Sequence, residues 1–301
     1  MNKVFRKYQG TVLGIIFIIA GMTFYFIMQI FEIWTNPPLP GPSGFCEYFD
    51  PNRLVGEPIN AWSNFYYVAV GMIVLIAYDL VRSGKIKIQW FEESYVLRRE
   101  NLYYALLYGL LVIWIGLASF YMHGSYRSTP WFSAGFLDVL SMNMYMSGLI
   151  ILSLGILFDI KKRTLYIFIL IDIILVVIVM KSNLQLPGLG GGGLFELLLI
   201  SAVINELLVG LGVYSRVFKN LGARQVRRKV ILLPLIILIF LLAYWLWHFG
   251  LRDAPTCDPY SWWQWHAVWH FLTAVATLVI LLYILTEKEI TLNSKPEIHA
   301  G

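Results

Sequence analysis

The chain has 301 residues, 58% of them hydrophobic and 14% charged, with a mean hydropathy of +0.68; that balance excludes an ordinary soluble domain. Its formal net charge of +5 is spread through short loops between apolar runs, which marks it as a topology signal and excludes a nucleic-acid surface. Two cysteines, Cys46 and Cys257, are too few for a disulfide scaffold but suffice for one bond on an oxidising side.

Lys3, Arg6 and Lys7 precede a first apolar run at about 11–34. The run is too long for a signal-peptide core and no small-residue cleavage site follows, so a retained span with its N-terminus inside is expected. Residues 35–58 form a Pro/Gly-rich outer loop (Pro37, Pro38, Pro40, Gly41, Pro42) that carries Cys46, Glu47, Asp50 and Glu57. Further apolar runs at about 60–81, 101–121, 134–158, 164–179, 194–214, 231–249 and 262–285 bring the count to eight helices. The prediction is an all-α integral membrane protein. Placing the N-terminus inside leaves four of the 23 Lys and Arg on the outer side, namely Arg53, Arg127, Lys181 and Arg252, the bias expected of a correct topology. The stretch 187–193 lacks a following Lys-Ser/Thr and reads as an outer loop rather than a phosphate cradle. Residues 287–301, with His299, read as a cytoplasmic tail.

The last run opens with His266 and His270, one helical turn apart and about 6 Å apart along the axis. Both imidazoles can reach one metal ion, with zinc the usual occupant. Alone, the pair reads equally well as interfacial histidines in an aromatic belt. The topology, however, puts His123 at the outer end of the third helix and Asp138 at the start of the fourth, so all four lie at one end of the bundle. Three neutral histidines with an open fourth position make a catalytic-type zinc site, where the pKa of a water falls toward about 7. Ser119, one turn before His123, is placed to donate to an oxyanion, and Asp138 to take and return a proton. Singly, Ser119 reads as a helix-packing serine and Asp138 as a charge favoured by a helix N-terminus. Beside three histidines they read as chemistry. His248 has no partner one turn away and reads as a helix-end histidine. Asn60 and Asn64 share a face and read as helix-to-helix bonds. Asp172, Asn205 and Glu206, inside spans, read either as buried pairs or as a proton or substrate path.

Gln264-Trp265-His266-Ala267-Val268-Trp269-His270 resembles the last-helix motif of the alkaline ceramidases. Phe45-Cys46-Glu47 with Glu57-Pro58-Ile59-Asn60-Ala61-Trp62-Ser63-Asn64 resembles their first signature, Gly116-Leu117-Ala118-Ser119-Phe120-Tyr121-Met122-His123 the second, and Phe136-Leu137-Asp138-Val139-Leu140 the third. Asp253 with Cys257-Asp258 resembles the segment before the last helix. The matches run in the family's order, and Glu57-Pro58 is closer to the bacterial ceramidase-like branch of this CREST superfamily of membrane hydrolases than to the eukaryotic enzymes.

The resemblance implies a seven-helix catalytic bundle over residues 59–286, an extra N-terminal helix within 1–34, and the outer loop 35–58 between them. It implies zinc on His123, His266 and His270, catalysis by Ser119 and Asp138, and a disulfide between Cys46 and Cys257. The implied reaction is hydrolysis of the ceramide amide to a fatty acid and a sphingoid base, on a membrane lipid entering from the bilayer. In a bacterial inner membrane, the favoured setting, the site would face the periplasm; in a eukaryote, a lumen. Two features depart from the pattern. The segment from His123 to Asp138 is longer than usual, so Asp138 needs a bulged loop to reach the zinc. Calcium, which eukaryotic members bind, would draw on Glu47, Glu57 and Asp50, while Gly44 and Phe49 stand where those enzymes have side-chain ligands. Two rival readings are a lipid esterase of the same superfamily and a receptor or transporter with a structural zinc.

Overall fold

The computed structural model describes residues 8–35, 39–42, 44–86, 94–182 and 193–289. Lys3, Arg6, Lys7, Pro37, Pro38, the glycine run through residue 192 and residues 290–301 with His299 lie outside the described residues; the expected tail is packed at its start, where Glu287 is buried and Lys288–Glu289 form a strand. In lipid every backbone N–H and C=O must be satisfied within its own segment, so each apolar run closes as a helix. Among the described residues eight helices are long and apolar enough to cross a membrane: α1 (Gln9–Ile30), α2 (Pro58–Arg82), α3 (Tyr103–Ser125), α4 (Ala134–Leu157), α5 (Lys162–Lys181), α6 (Gly193–Gly210), α7 (Leu232–Phe249) and α8 (Trp265–Leu285). Two short antiparallel pairs are the strands: β1 (Gly41–Pro42) with β2 (Tyr48–Phe49), and β3 (Val226–Arg227) with β4 (Lys288–Glu289).

Two ends differ from the hydropathy pattern for physical reasons. α1 stops at Ile30 because Glu32 takes a left-handed conformation (φ +50), which turns Trp34 back against Tyr25 and Tyr121. α8 begins at Trp265, with Gln264 as its cap; Trp262 and Trp263 remain outside it and exposed, as interfacial tryptophans do.

The helix α3 is the hub. It is 72% buried, whereas α5 and α7 are 11% buried and form the lipid-facing rim. Close approach of α2 to α3 depends on small residues, as in other membrane bundles. A Cβ on Gly71 would lie 2.7 Å from Gly109 O, and one on Gly116 would lie 2.7 Å from Asn64 O. α2 itself is interrupted at Asn64, between Pro58–Ser63 and Phe65–Arg82. There Ser63 Oγ and Asn64 Nδ2 both donate to Asn60 O, at 2.7 and 2.9 Å. The Asn64 amide, expected to bond between helices, is thus spent within α2, and that of Asn60 donates to Glu57 just before it.

At the end of the bundle remote from the histidines, Arg228 is fully buried between Glu206 of α6 (2.5 Å) and Glu287 (3.0 Å), and donates to Ser153 Oγ of α4 at 2.6 Å. Those two carboxylates hold its guanidinium pKa above the ordinary value despite burial. Glu206 is therefore a buried ion-pair partner, and Asn205 Nδ2 donates to it at 3.4 Å. Asp172 accepts from Ser147 Oγ at 2.7 Å. Arg228→Ala is expected to destabilise the chain by roughly 3–5 kcal/mol, because it strands two buried carboxylates; thermal unfolding in detergent checks this, and an unchanged midpoint would refute it.

Candidate metal centre

Two helices, α3 and α8, carry the three histidines, and the segment that opens α2 carries the groups that hold two of them. α3 carries Ser119 and, one turn later, His123, then ends at Tyr126, which caps it in the left-handed conformation (φ +49). Such a φ is unusual for a bulky residue; here it brings the Tyr126 phenol to Glu57, where it donates to Oε2 at 3.2 Å. The loop before α2 runs back along the end of α3: Gly56 N–H donates to Gly124 O at 2.8 Å and Glu57 N–H to His123 O at 3.0 Å. That register sets the Glu57 carboxylate on His123 Nδ1 at 2.8 Å, with both side chains buried. Asn60 Nδ2 adds a bond to Glu57 Oε2 at 3.1 Å.

In α8, His270 Nδ1 lies 2.7 Å from Ser63 Oγ. The Ser63 hydroxyl proton is committed to Asn60 O, so Ser63 accepts from His270, whose proton then sits on Nδ1. By the same reasoning Glu57 accepts from His123 Nδ1. Both histidines therefore present the Nε2 lone pair, the arrangement in which a ligand's other nitrogen is fixed by an outer partner. His266 Nε2 lies 3.1 Å from His123 Nε2. Its Nδ1 is buried with no hydrogen-bond partner. Its ring stacks on Phe45, centroids 3.6 Å apart.

Among the described residues the three histidines form the one group of metal-binding type, with ligand atoms within 4.8 Å of one another. They fit a zinc ion: nitrogens about 2.0–2.1 Å from a tetrahedral zinc are about 3.3 Å apart, close to the His123–His266 separation. Packing holds α8 in place, since a Cβ on Gly250 would come 2.7 Å from His266 N.

Asp138 reaches this cluster from α4. The segment after Tyr126 is folded by bridges of Ser128 to Thr35 and to Ser133, and Ser133 Oγ caps α4 by accepting from Phe136 N at 2.9 Å. Asp138 stands about one turn into that helix, where its carboxylate meets the Ser119 hydroxyl. The extra length between His123 and Asp138 is absorbed in these turns. Ser119, Asp138, His266 and His270 line one cavity of about 650 Å³, whose other walls include Ile115, Met142, Leu199, Phe240 and Leu241. A second, apolar cavity of about 360 Å³ shares Leu199, Phe240 and Leu241 with it and leads on between α4, α6, α7 and α8.

Cys46 and Cys257 are joined by a disulfide, Cα–Cα 5.3 Å. Cys46 N–H also donates to Gly250 O at 2.8 Å, and this double tie seats Phe45 on His266. The acidic residues considered for calcium are placed differently from one another. Glu47 accepts the N–H groups of Ile59 and Asn60 at 2.8 and 2.7 Å, an anion at the N-terminus of α2. Burial raises its carboxyl to about 7, against the opposing pull of those two amides. Glu57 serves His123. Asp50 faces Arg53 at 3.2 Å and accepts from Asn52 N. His248 ends α7, exposed, against Tyr244.

Sequence reasoning did not assign Ser63 to His270, Glu57 to His123 or Phe45 to His266. Ser63 and His270 are 207 residues apart, and no local pattern links them.

Fold and site together define an all-α, multi-pass membrane protein with a buried three-histidine centre opening on an apolar cavity. The Ceramidase family model matches residues 42–298, and the chain belongs to the ceramidase family, whose members hydrolyse the amide of ceramide. α1 lies outside the matched residues. No curated protein matches the chain.

Proposed function

We propose that this protein is a zinc-dependent lipid amidase that cleaves ceramide, or a closely similar N-acyl lipid, to a fatty acid and a sphingoid base. One observation carries the reading. His266 and His270 of the three-histidine cluster, together with Ser119 and Asp138, line a single cavity with otherwise largely apolar walls.

His123, His266 and His270 would hold the zinc. When bound, zinc supplies Lewis-acid polarisation of the amide carbonyl and lowers the pKa of water toward neutrality. Asp138 takes a proton from the attacking water as its oxygen bonds to the carbonyl carbon. Ser119 donates its hydrogen to the oxyanion that develops. Asp138 then returns the proton to the amide nitrogen, the C–N bond breaks, and the amine leaves. The two neighbouring cavities, which share Leu199, Phe240 and Leu241 as walls, suit the two hydrocarbon chains, and the exposed Trp131, Tyr260 and Trp262 suit an active end at the bilayer interface. With the positive-inside bias, that end faces away from the cytoplasm.

The test uses the purified chain in detergent with ceramides and matched lipid esters. Release of sphingoid base, lost on chelation and restored by zinc, is expected. Cleavage of esters but not amides would move the protein to the remodelling esterases. Stoichiometric zinc with no turnover of any lipid would refute an enzymatic role.

A further inference from the structure

We propose that α1 is a brace for the metal centre, with Tyr25 as its positioning residue, holding the loop that presents Glu57 to His123. The inference rests on the reading that the three histidines hold a metal.

α1 is fastened at both ends. At its start, the Asp79 carboxylate of α2 accepts the N–H groups of Gly10 and Thr11 at 2.9 and 2.7 Å. These are donors that a helix N-terminus leaves unpaired, and in lipid they need a partner. Arg82 adds a bond to Gln9 Oε1 at 2.5 Å. Near its other end, the buried Tyr25 donates its O–H to the Leu54 carbonyl at 2.6 Å. Gln29 Nε2 reaches the same carbonyl at 3.2 Å.

Leu54 lies three residues before Glu57, in the loop whose Gly56 and Glu57 amides are registered on Gly124 and His123. The Tyr25 ring itself packs on the histidine-bearing helix, with centroids 4.9 Å from Phe120 and 5.9 Å from Tyr121. A Cβ on Gly124 would clash with its phenol, so α1 approaches the residue next to His123 as closely as a glycine permits. One phenol thus contacts the two segments that carry the Glu57–His123 bond, the loop at Leu54 through its hydroxyl and α3 at Phe120, Tyr121 and Gly124 through its ring. A metal ligand's affinity depends on how its outer nitrogen is held. Tyr25 touches neither the metal nor the cavity, and it acts through Glu57.

The experiment measures zinc affinity and release rate by chelator competition on the full chain, with thermal unfolding of each zinc-free protein. The variants are Tyr25→Phe, Glu57→Gln, both together, and His123→Ala. Tyr25→Phe keeps the ring packing and removes the hydroxyl alone. It is expected to weaken zinc about 3- to 10-fold, with Glu57→Gln costing about 10- to 100-fold. The double variant is expected to bind as Glu57→Gln does, since coupled positions are not additive. Gln29→Met, which removes the second donor to Leu54, shifts affinity in the same direction as Tyr25→Phe. Unchanged affinity in Tyr25→Phe, or full additivity in the double variant, overturns the brace while leaving the metal reading intact. A wild type that binds no zinc, or His123→Ala that binds like wild type, overturns the metal reading and the brace with it.

Discussion

His123→Ala is expected to yield protein with near-zero zinc, where wild type holds about one ion per chain, and with no detectable ceramide hydrolysis. Two effects combine. One of three imidazole donors disappears, and two nitrogens do not make a closed zinc site in competition with water. The substitution also takes from Glu57 the imidazole N–H that sits 2.8 Å from its carboxylate in a fully buried position. Asn60 and Tyr126 still donate to that carboxylate, so the stability cost stays at about 1–3 kcal/mol and the variant is expected to fold. Metal analysis of purified protein, together with thermal unfolding, checks both halves. Retention of stoichiometric zinc by the variant would place the metal elsewhere and remove the basis of the mechanism.

Asp138→Asn is expected to leave zinc bound and to lower kcat by about 10²–10⁴. Asparagine keeps the shape of the side chain but neither accepts a proton from water nor returns one to the leaving amine. Ser119→Ala, which removes one donor to the developing oxyanion, is expected to cost about 10²–10³ in kcat. The two side chains line the same cavity and interact, so the double variant is expected to lose less than the product of the single losses. Substrate affinity should change little in either, since both act on charge that appears in the transition state. Steady-state kinetics with zinc quantified in each preparation reads these effects. Loss of zinc in Asp138→Asn would make the aspartate a ligand and overturn its role as the base.

The contrast between neighbouring residues shows where sequence reasoning stops. His266 and His270 are one turn apart, so helix geometry alone puts them on one face; nothing else in the chain has to be known. Glu57 and His123 are 66 residues apart, and Ser63 and His270 are 207 apart. Their pairing follows from the antiparallel register of Gly56 and Glu57 on the end of α3 and from the break in α2 at Asn64. The family resemblance makes Glu57 a candidate calcium ligand, and an acidic residue beside a proline carries no sign of which buried nitrogen it meets. Asn60 and Asn64 looked like interhelical glue because a shared helix face does not show that the helix will break between them. Glu206 had two readings until Arg228 was found beside it.

The sequence by itself determined the eight spans, since a lipid-embedded backbone must satisfy its own hydrogen bonds and about 20 apolar residues are needed to cross. Alternation of span direction also put His123, His266 and His270 at one end of the bundle, where they lie together. The tertiary structure alone decided which nitrogen of His123 and of His270 is held and by what, how Phe45 is seated on His266 beside the Cys46–Cys257 bond, and that α1 reaches the loop behind Glu57. Periodicity and hydropathy describe one segment against its solvent. These contacts depend on the rotation and depth of several segments against one another, set by packing at glycines such as Gly116 and Gly124.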